Sequence, residues 1–348
     1  MRYRLLGKSG LRVSELCLGT MTFGEDWGWG STKEESRRIY DAFREAGGNF
    51  IDTANVYTNG TSETFLGEFM QNDRAGVVLA TKYTNSAPGK DANAGGNQRK
   101  NMVQAIEASL RRLRTDYIDL YWMHIWDQIT PVEEVMRAFD DLVRQGKVLY
   151  AGVSDAPAWW VARANTLAEL RGWTPFVGLQ IEYSLVERTV ERELLPMAEW
   201  LGVGVTAWSP LGGGVLTGKY ATKSGGGRFD NAGMKQFQAG GERVARIVSE
   251  LRTIAQEVDR SAAQVALKWL MQRPIPVVPI VGARRLEQFR DNLACLDLRL
   301  TDEQIHRLDA ASTLELGFPH DFYAKEMVRS MVYGGMREQI VFASNRQV

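Results

Sequence analysis

The chain has 348 residues, of which 44% are hydrophobic and 24% charged, so it is far from disorder and long enough for one large domain or two ordinary ones. Lys and Arg (42) balance Asp and Glu (42), which argues against a nucleic-acid footprint or a basic membrane face. Cys17 and Cys295 are the only cysteines and read as small apolar residues in buried elements, so neither a disulfide framework nor a zinc site is expected. No apolar run nears the ~20 residues of a membrane span, and Met1-Arg2-Tyr3-Arg4 leads into no signal-peptide core. A reducing cytoplasm is the expected setting.

In chain order, YRLLGKSGLRVS (3–14) reads as a hairpin turning at Lys8-Ser9-Gly10, suited to plug the N-terminal end of a barrel. Short apolar runs then alternate with amphipathic stretches, the pattern of βα units around a parallel sheet. Strands are expected at 14–20, 48–52, 77–82, 117–124, 148–153, 176–181, 203–208 and 277–281. Capping boxes are expected at Thr32 to Glu35, Thr130 to Glu133 (with Pro131 at the first helical position) and Ser261 to Gln264. Val103, Ile106, Leu110 and Leu113 mark one apolar helix face, with Arg111, Arg112 and Arg114 solvated. Eight strands with intervening helices predict a (β/α)8 barrel, with a doubly wound sheet as the alternative.

Two segments exceed a minimal barrel. The connection over 209–241 is long and glycine-rich, and such loops tend to be lids or binding loops. A tail over 311–348 carries Phe318, Phe322, Tyr333 and Phe342. Neither reads as a second domain. A single domain over 1–348 is expected, with the barrel at about 14–295 and a C-terminal helix and tail over 301–348.

Barrel chemistry takes place at the C-terminal ends of strands. Those ends read Gly19-Thr20-Met21, Asp52 (with Tyr57 in the loop), Lys82, His124, Ser154-Asp155, Gln180, Trp208-Ser209-Pro210-Leu211-Gly212 and Gly282-Ala283-Arg284. A phenol is a weak acid near neutrality, but an adjacent ammonium favours phenolate. An ammonium inside a barrel mouth needs a carboxylate partner. Asp52 and Lys82 on adjacent strands supply that pair, and His124 can hydrogen-bond the oxygen being protonated. Taken singly, the histidine reads as a core residue, the lysine as a solvated loop residue and the tyrosine as packing. Their joint position at three consecutive strand ends favours carbonyl reduction. No nucleophile with an adjacent base argues for acyl transfer, and no cluster has metal-ligand spacing.

The stretches FIDTANVY, LATKY, YIDLYWMH, GVSD, LQIEYSL, TAWSPLGGGVLTGKY and VPIVGARRLEQFRDNL, in this order over about residues 3–310, resemble the aldo-keto reductase superfamily. GVSD-x-PAW is similar to its aryl-alcohol-dehydrogenase-like branch. The resemblance implies a barrel that binds a nicotinamide cofactor without a Rossmann domain. It implies Tyr57 as general acid/base, Lys82 and Asp52 as the groups that tune it, and His124 as the group that orients the carbonyl.

The cofactor expectation is NADP(H). No G-x-G-x-x-G follows a strand, and Gly213 to Lys219 spells a phosphate loop that fails at Tyr220, where Ser or Thr would hold magnesium. Its glycines, including Gly214, are still suited to a pyrophosphate, and the resemblance implies Lys219 and Arg228 as phosphate contacts. Trp208 is expected to stack on the nicotinamide, and Ser154, Asp155 and Gln180 match carboxamide contacts. Asp155 stands where Asn is common; a carboxylate accepts hydrogen bonds but cannot donate them. A helix opening at Arg284-Arg285 and running through Gln288 and Asn292 suits a 2′-phosphate. Trp122, Trp126 and Tyr83, next to the catalytic positions, are candidates for an aromatic pocket lining, with core packing an equal alternative for Trp122.

The reading is an NADPH-dependent, reversible reductase of aldehydes or ketones, with a small carbonyl compound or alcohol as substrate. Its rivals are a cofactor-sensing subunit of the potassium-channel β type and an alcohol or sugar dehydrogenase working oxidatively. The aromatic tail either lines the pocket or forms a homo-oligomer interface.

Overall fold

A computed structural model describes residues 1–86, 89, 91–217 and 241–341. The chain divides into two compact units, Met1–Ser312 and one that begins at Thr313. The first opens with an antiparallel pair, β1 (Tyr3–Leu5) and β2 (Arg12–Ser14), followed by a closed barrel of eight parallel strands. These are β3 (Cys17–Gly19), β4 (Phe50–Asp52), β5 (Val78–Tyr83), β6 (Ile118–Met123), β7 (Val148–Ser154), β8 (Phe176–Glu182), β9 (Gly204–Trp208) and β10 (Val277–Val281). β10 closes on β3 through Ile280 opposite Cys17 and Val281 opposite Leu18.

Period-two alternation sorts each strand into two faces. Cys17, Phe50, Val78, Ala80, Leu120, Trp122, Val278 and Ile280 form one buried cluster with Leu6 and Val13 of the leading hairpin. Leu18, Ile51, Leu79, Tyr121 and Met123 belong to the second cluster, packed with the helices. The hairpin plugs the bottom of the barrel as expected. Lys8 N–H donates to Gly202 O at 2.8 Å, just before β9. A Cβ on Gly7, at φ 58°, would come within 2.5 Å of the Gly202 and Gly204 backbone, so only glycine fits that crossing.

The helix details depart from expectation in four helices. Helix α1 (Lys33–Glu45) and the helix over Ala262–Met271 have hydroxyl caps, Thr32 and Ser261, but neither box closes. The partner side chains go elsewhere: Glu35 accepts from Leu286 N at 2.6 Å, and Gln264 donates to Asp291. Thr130 does not cap its helix, because its hydroxyl donates to Asp127 at 2.6 Å. In the helix over Arg99–Leu113, Met102 joins Ile106, Leu110 and Leu113 on the buried face, while Val103 is exposed. Arg112 is not simply solvated: it pairs with fully buried Glu63 at 2.7 Å, which also accepts from Thr81 at 2.6 Å. Among the described residues, no helix is long and apolar enough to cross a membrane.

Candidate active site

The same alternation that sends Phe50, Ala80 and Trp122 inward puts Asp52, Lys82 and His124 on the inner face, at the upper rim. Pairing sets Asp52 beside Ala80 and Lys82 beside Trp122, so the acid and the lysine rise from neighbouring strands. Tyr57 follows β4 in a short 3-10 turn whose backbone is left-handed at Thr58 (φ 46°) and Asn59 (φ 55°). That costly geometry is held by the Thr58 hydroxyl, which donates to Phe23 O at 2.6 Å and accepts from Ser62 N at 3.2 Å.

Lys82 is completely buried, and each of its three N–H donors has a partner. Nζ donates to Asp52 Oδ1 in a short contact, to Thr53 O at 2.7 Å, and to the Tyr57 hydroxyl at 3.2 Å. Burial pulls the Lys82 pKa down, but Asp52 and Tyr57 together outweigh it and hold the group above its ordinary value. The ammonium therefore stays charged at the phenol oxygen. Asp52 is fixed through its other oxygen, which accepts from Gln180 Nε2 at 3.1 Å.

His124 meets Tyr57 edge-on, with ring centroids 6.0 Å apart. One edge of the ring faces the cleft, yet burial first and the Lys82 charge second push its pKa well below 6.5. The imidazole is neutral at neutral pH. Asn85 Nδ2 lies 3.3 Å from His124 Nδ1, a contact that suits an imidazole accepting at Nδ1 and protonated on Nε2. Asn85 was not singled out by sequence, since an Asn beyond a strand end carries no pattern.

Tyr57 and His124 open into a cleft of about 1120 Å³ that runs over the rim to the start of the last barrel helix, Leu286–Leu293. Gly19, Thr20, Met21, Asp52, Ser154, Asp155, Gln180, Trp208, Ser209, Pro210, Leu211, Gly214, Gly282, Arg284, Gln288 and Asn292 all line it. Gly212 does not reach the cleft surface; neighbouring Gly213 does. Gly212 to Gly214 have φ of 56°, 63° and 104°, a run of left-handed backbone that requires glycine. Lys219 and Arg228 lie outside the described residues.

The expected aromatic pocket is built from other rings. Tyr83 is fully buried against Tyr121, and Trp122 fills the barrel interior over Gly152 and Gly178. Trp126 packs edge-on against Trp159 and does not line the cleft. Trp29 does, together with Tyr57, His124 and Trp208. Thr217, Ser261 and Asp291 also line it without having been predicted as site residues, and Arg285, read with Arg284 at the opening of the last barrel helix, lines it as well. Among the described residues, no cluster of His, Cys, Asp or Glu is arranged to hold a metal ion.

A charged lysine, a phenol and a neutral imidazole thus converge at the upper rim of a closed parallel barrel. The sequence profile described as the aldo/keto reductase family matches residues 15–313, and the chain belongs to that family. It is 40% identical to a norsolorinic acid reductase of Aspergillus flavus over 333 residues, covering 92% of this chain and 83% of that protein. It is 40% identical to the aryl-alcohol dehydrogenase (NADP(+)) of Phanerodontia chrysosporium over 347 residues, 92% of this chain and 88% of that protein. An aryl-alcohol dehydrogenase of Pestalotiopsis microspora is 38% identical over 331 residues, 92% and 85% of the two chains.

Proposed function

We propose that the protein reduces aldehyde or ketone carbonyls, aryl compounds foremost, to alcohols with NADPH, reversibly. The observation that carries this reading is Lys82: buried, charged, and donating at once to Asp52, Thr53 and Tyr57. A nicotinamide cofactor fits the cleft on two counts. Ser154 Oγ is buried at the cleft wall with no hydrogen-bond partner among the described residues. Gly19 lines the same cleft, and a Cβ there would meet Ile280 Cγ2 at 2.7 Å, so glycine leaves its backbone bare at that wall. When bound, the reduced nicotinamide supplies the hydride to the carbonyl carbon.

The residues of the chain handle the proton. Tyr57 gives its proton to the carbonyl oxygen as that oxygen gains negative charge. The Lys82 ammonium, at the phenol oxygen, stabilises the phenolate left behind, and Asp52 keeps the ammonium charged. His124, neutral and protonated on Nε2, donates to the same carbonyl oxygen and fixes its direction. In reverse, the phenolate takes the proton from the alcohol.

The preference for NADP(H) rests on Arg284 and Arg285 beside the start of the Leu286–Leu293 helix. Glu35 already accepts the Leu286 N–H, so a 2′-phosphate would rely on the guanidiniums more than on the helix end. Lys219 and Arg228 are proposed phosphate contacts from the family resemblance. The aryl preference is supported by the Trp29, Tyr57, His124 and Trp208 rings at the cleft and by the names of the relatives. Oxidation of NADPH by a panel of aromatic and aliphatic aldehydes tests the reading. Turnover with higher kcat/KM for the aromatic members is expected; NADPH binding without turnover on any carbonyl would contradict it and favour a cofactor sensor.

A further inference from the structure

Asp155 has an assigned partner in the structure that sequence does not reveal. The indole Nε1–H of Trp208 donates to Asp155 Oδ1 at 3.0 Å, across from the end of β9 to the end of β7. The acid is anchored at the backbone, with φ 45°, its N–H given to Gln180 O and its carbonyl oxygen accepting from Trp126 N–H, each at 3.3 Å. Trp208 is only half-buried, packed on one side against the inner barrel cluster. We propose that Asp155 is a positioning residue: its carboxylate holds the Trp208 indole in the plane against which the nicotinamide stacks. An indole offers a single N–H and no acceptor, so an acceptor-only carboxylate is a full match for it.

The bond also gives Asp155 a readable titration. Burial raises its pKa to about 6, opposed by the Trp208 bond and by the Lys82 charge. The Ser154 hydroxyl lies near enough to favour the carboxylate, but its geometry is not that of a hydrogen bond. Among the described residues, Glu182 at the end of β8 is also coupled to it by charge, its own pKa raised first by burial and then by Glu187 and Asp155. From neutral pH downward, protonation of Asp155 weakens a charge-assisted bond to a neutral one.

This inference rests on the proposed nicotinamide site, and the test separates the two. The indole N–H signal of Trp208, identified by its loss in Trp208→Phe, is followed by 1H–15N NMR against pH in the cofactor-free protein. It is expected to shift with a midpoint near pH 6 in the wild type, to lose that titration but stay protected in Asp155→Asn, and to exchange with solvent in Asp155→Leu. NADPH affinity is then measured by fluorescence quenching. Asp155→Leu and Trp208→Phe are each expected to weaken it about 10-fold, the double variant no more than either single one, and Asp155→Asn by less than 3-fold. A Trp208 signal insensitive to pH and to Asp155→Leu would overturn the inference, as would additive losses in the double variant. Absence of NADPH binding in every protein, with the NMR titration intact, would instead refute the cofactor reading.

Discussion

At the scale of single residues, the site works because one ammonium cannot be moved without cost. Lys82 is buried with Asp52, and breaking a buried pair by removing one partner typically costs about 3–5 kcal/mol. Lys82→Met is therefore expected to lower the urea midpoint as well as kcat, whereas Lys82→Met with Asp52→Leu should recover stability but not turnover. Equal stability of the single variant and the wild type would show that the pair is not isolated from water. The role of His124 follows from its neutrality: burial keeps it unprotonated, so kcat is expected to show no limb near pH 6.5 from this residue. His124→Gln should keep part of the activity through its amide N–H, and His124→Leu should lose about 10²-fold or more.

At the scale of elements, alternation along the strands does most of the positioning. Asp52, Lys82 and His124 share the inward parity of Phe50, Ala80 and Trp122; their place at the ends of consecutive strands was legible in the sequence, along with all eight strands. The interior is filled by Trp122, whose ring lies where a Cβ on Gly152 would come within 2.3 Å. Gly152→Ala is expected to destabilise by about 1–3 kcal/mol through overpacking, measured by denaturant unfolding, while leaving the cofactor preference unchanged. What sequence missed was pairing at long range. Glu35 and Gln264 leave their expected capping boxes for partners on other elements, and Arg112 finds buried Glu63 49 positions away. Trp122 reads like Trp29 in a linear string; only barrel closure makes one a core residue and the other a cleft wall. At the far end of the cleft, Arg284→Ala is expected to raise KM for NADPH by about 10-fold or more, a lost charged hydrogen bond, and leave KM for NADH nearly unchanged. An equal change in both would refute a 2′-phosphate contact.

For the molecule as a whole, each carboxyl whose pKa is raised by burial adds its own pH-dependent penalty to stability. Burial, with Glu187 and Asp155 nearby, raises Glu182 to about 7, above its value in an unfolded chain. Between those two values the folded state binds more protons than the unfolded one, so this group's penalty is full above pH 7 and relieved as pH falls toward 4.5. Glu182→Gln should therefore raise the urea midpoint at pH 8 and give little gain near pH 4.5; a gain only at low pH would reverse the sign of the argument. The function proposed for the whole chain depends on proton delivery by the lysine-bound phenol. Single-turnover reduction of an aromatic aldehyde by enzyme-bound NADPH, comparing wild type with Tyr57→Phe, measures that step directly. A rate lowered by about 10³-fold with NADPH affinity unchanged is the predicted result, and a rate within a few-fold of wild type would contradict the account.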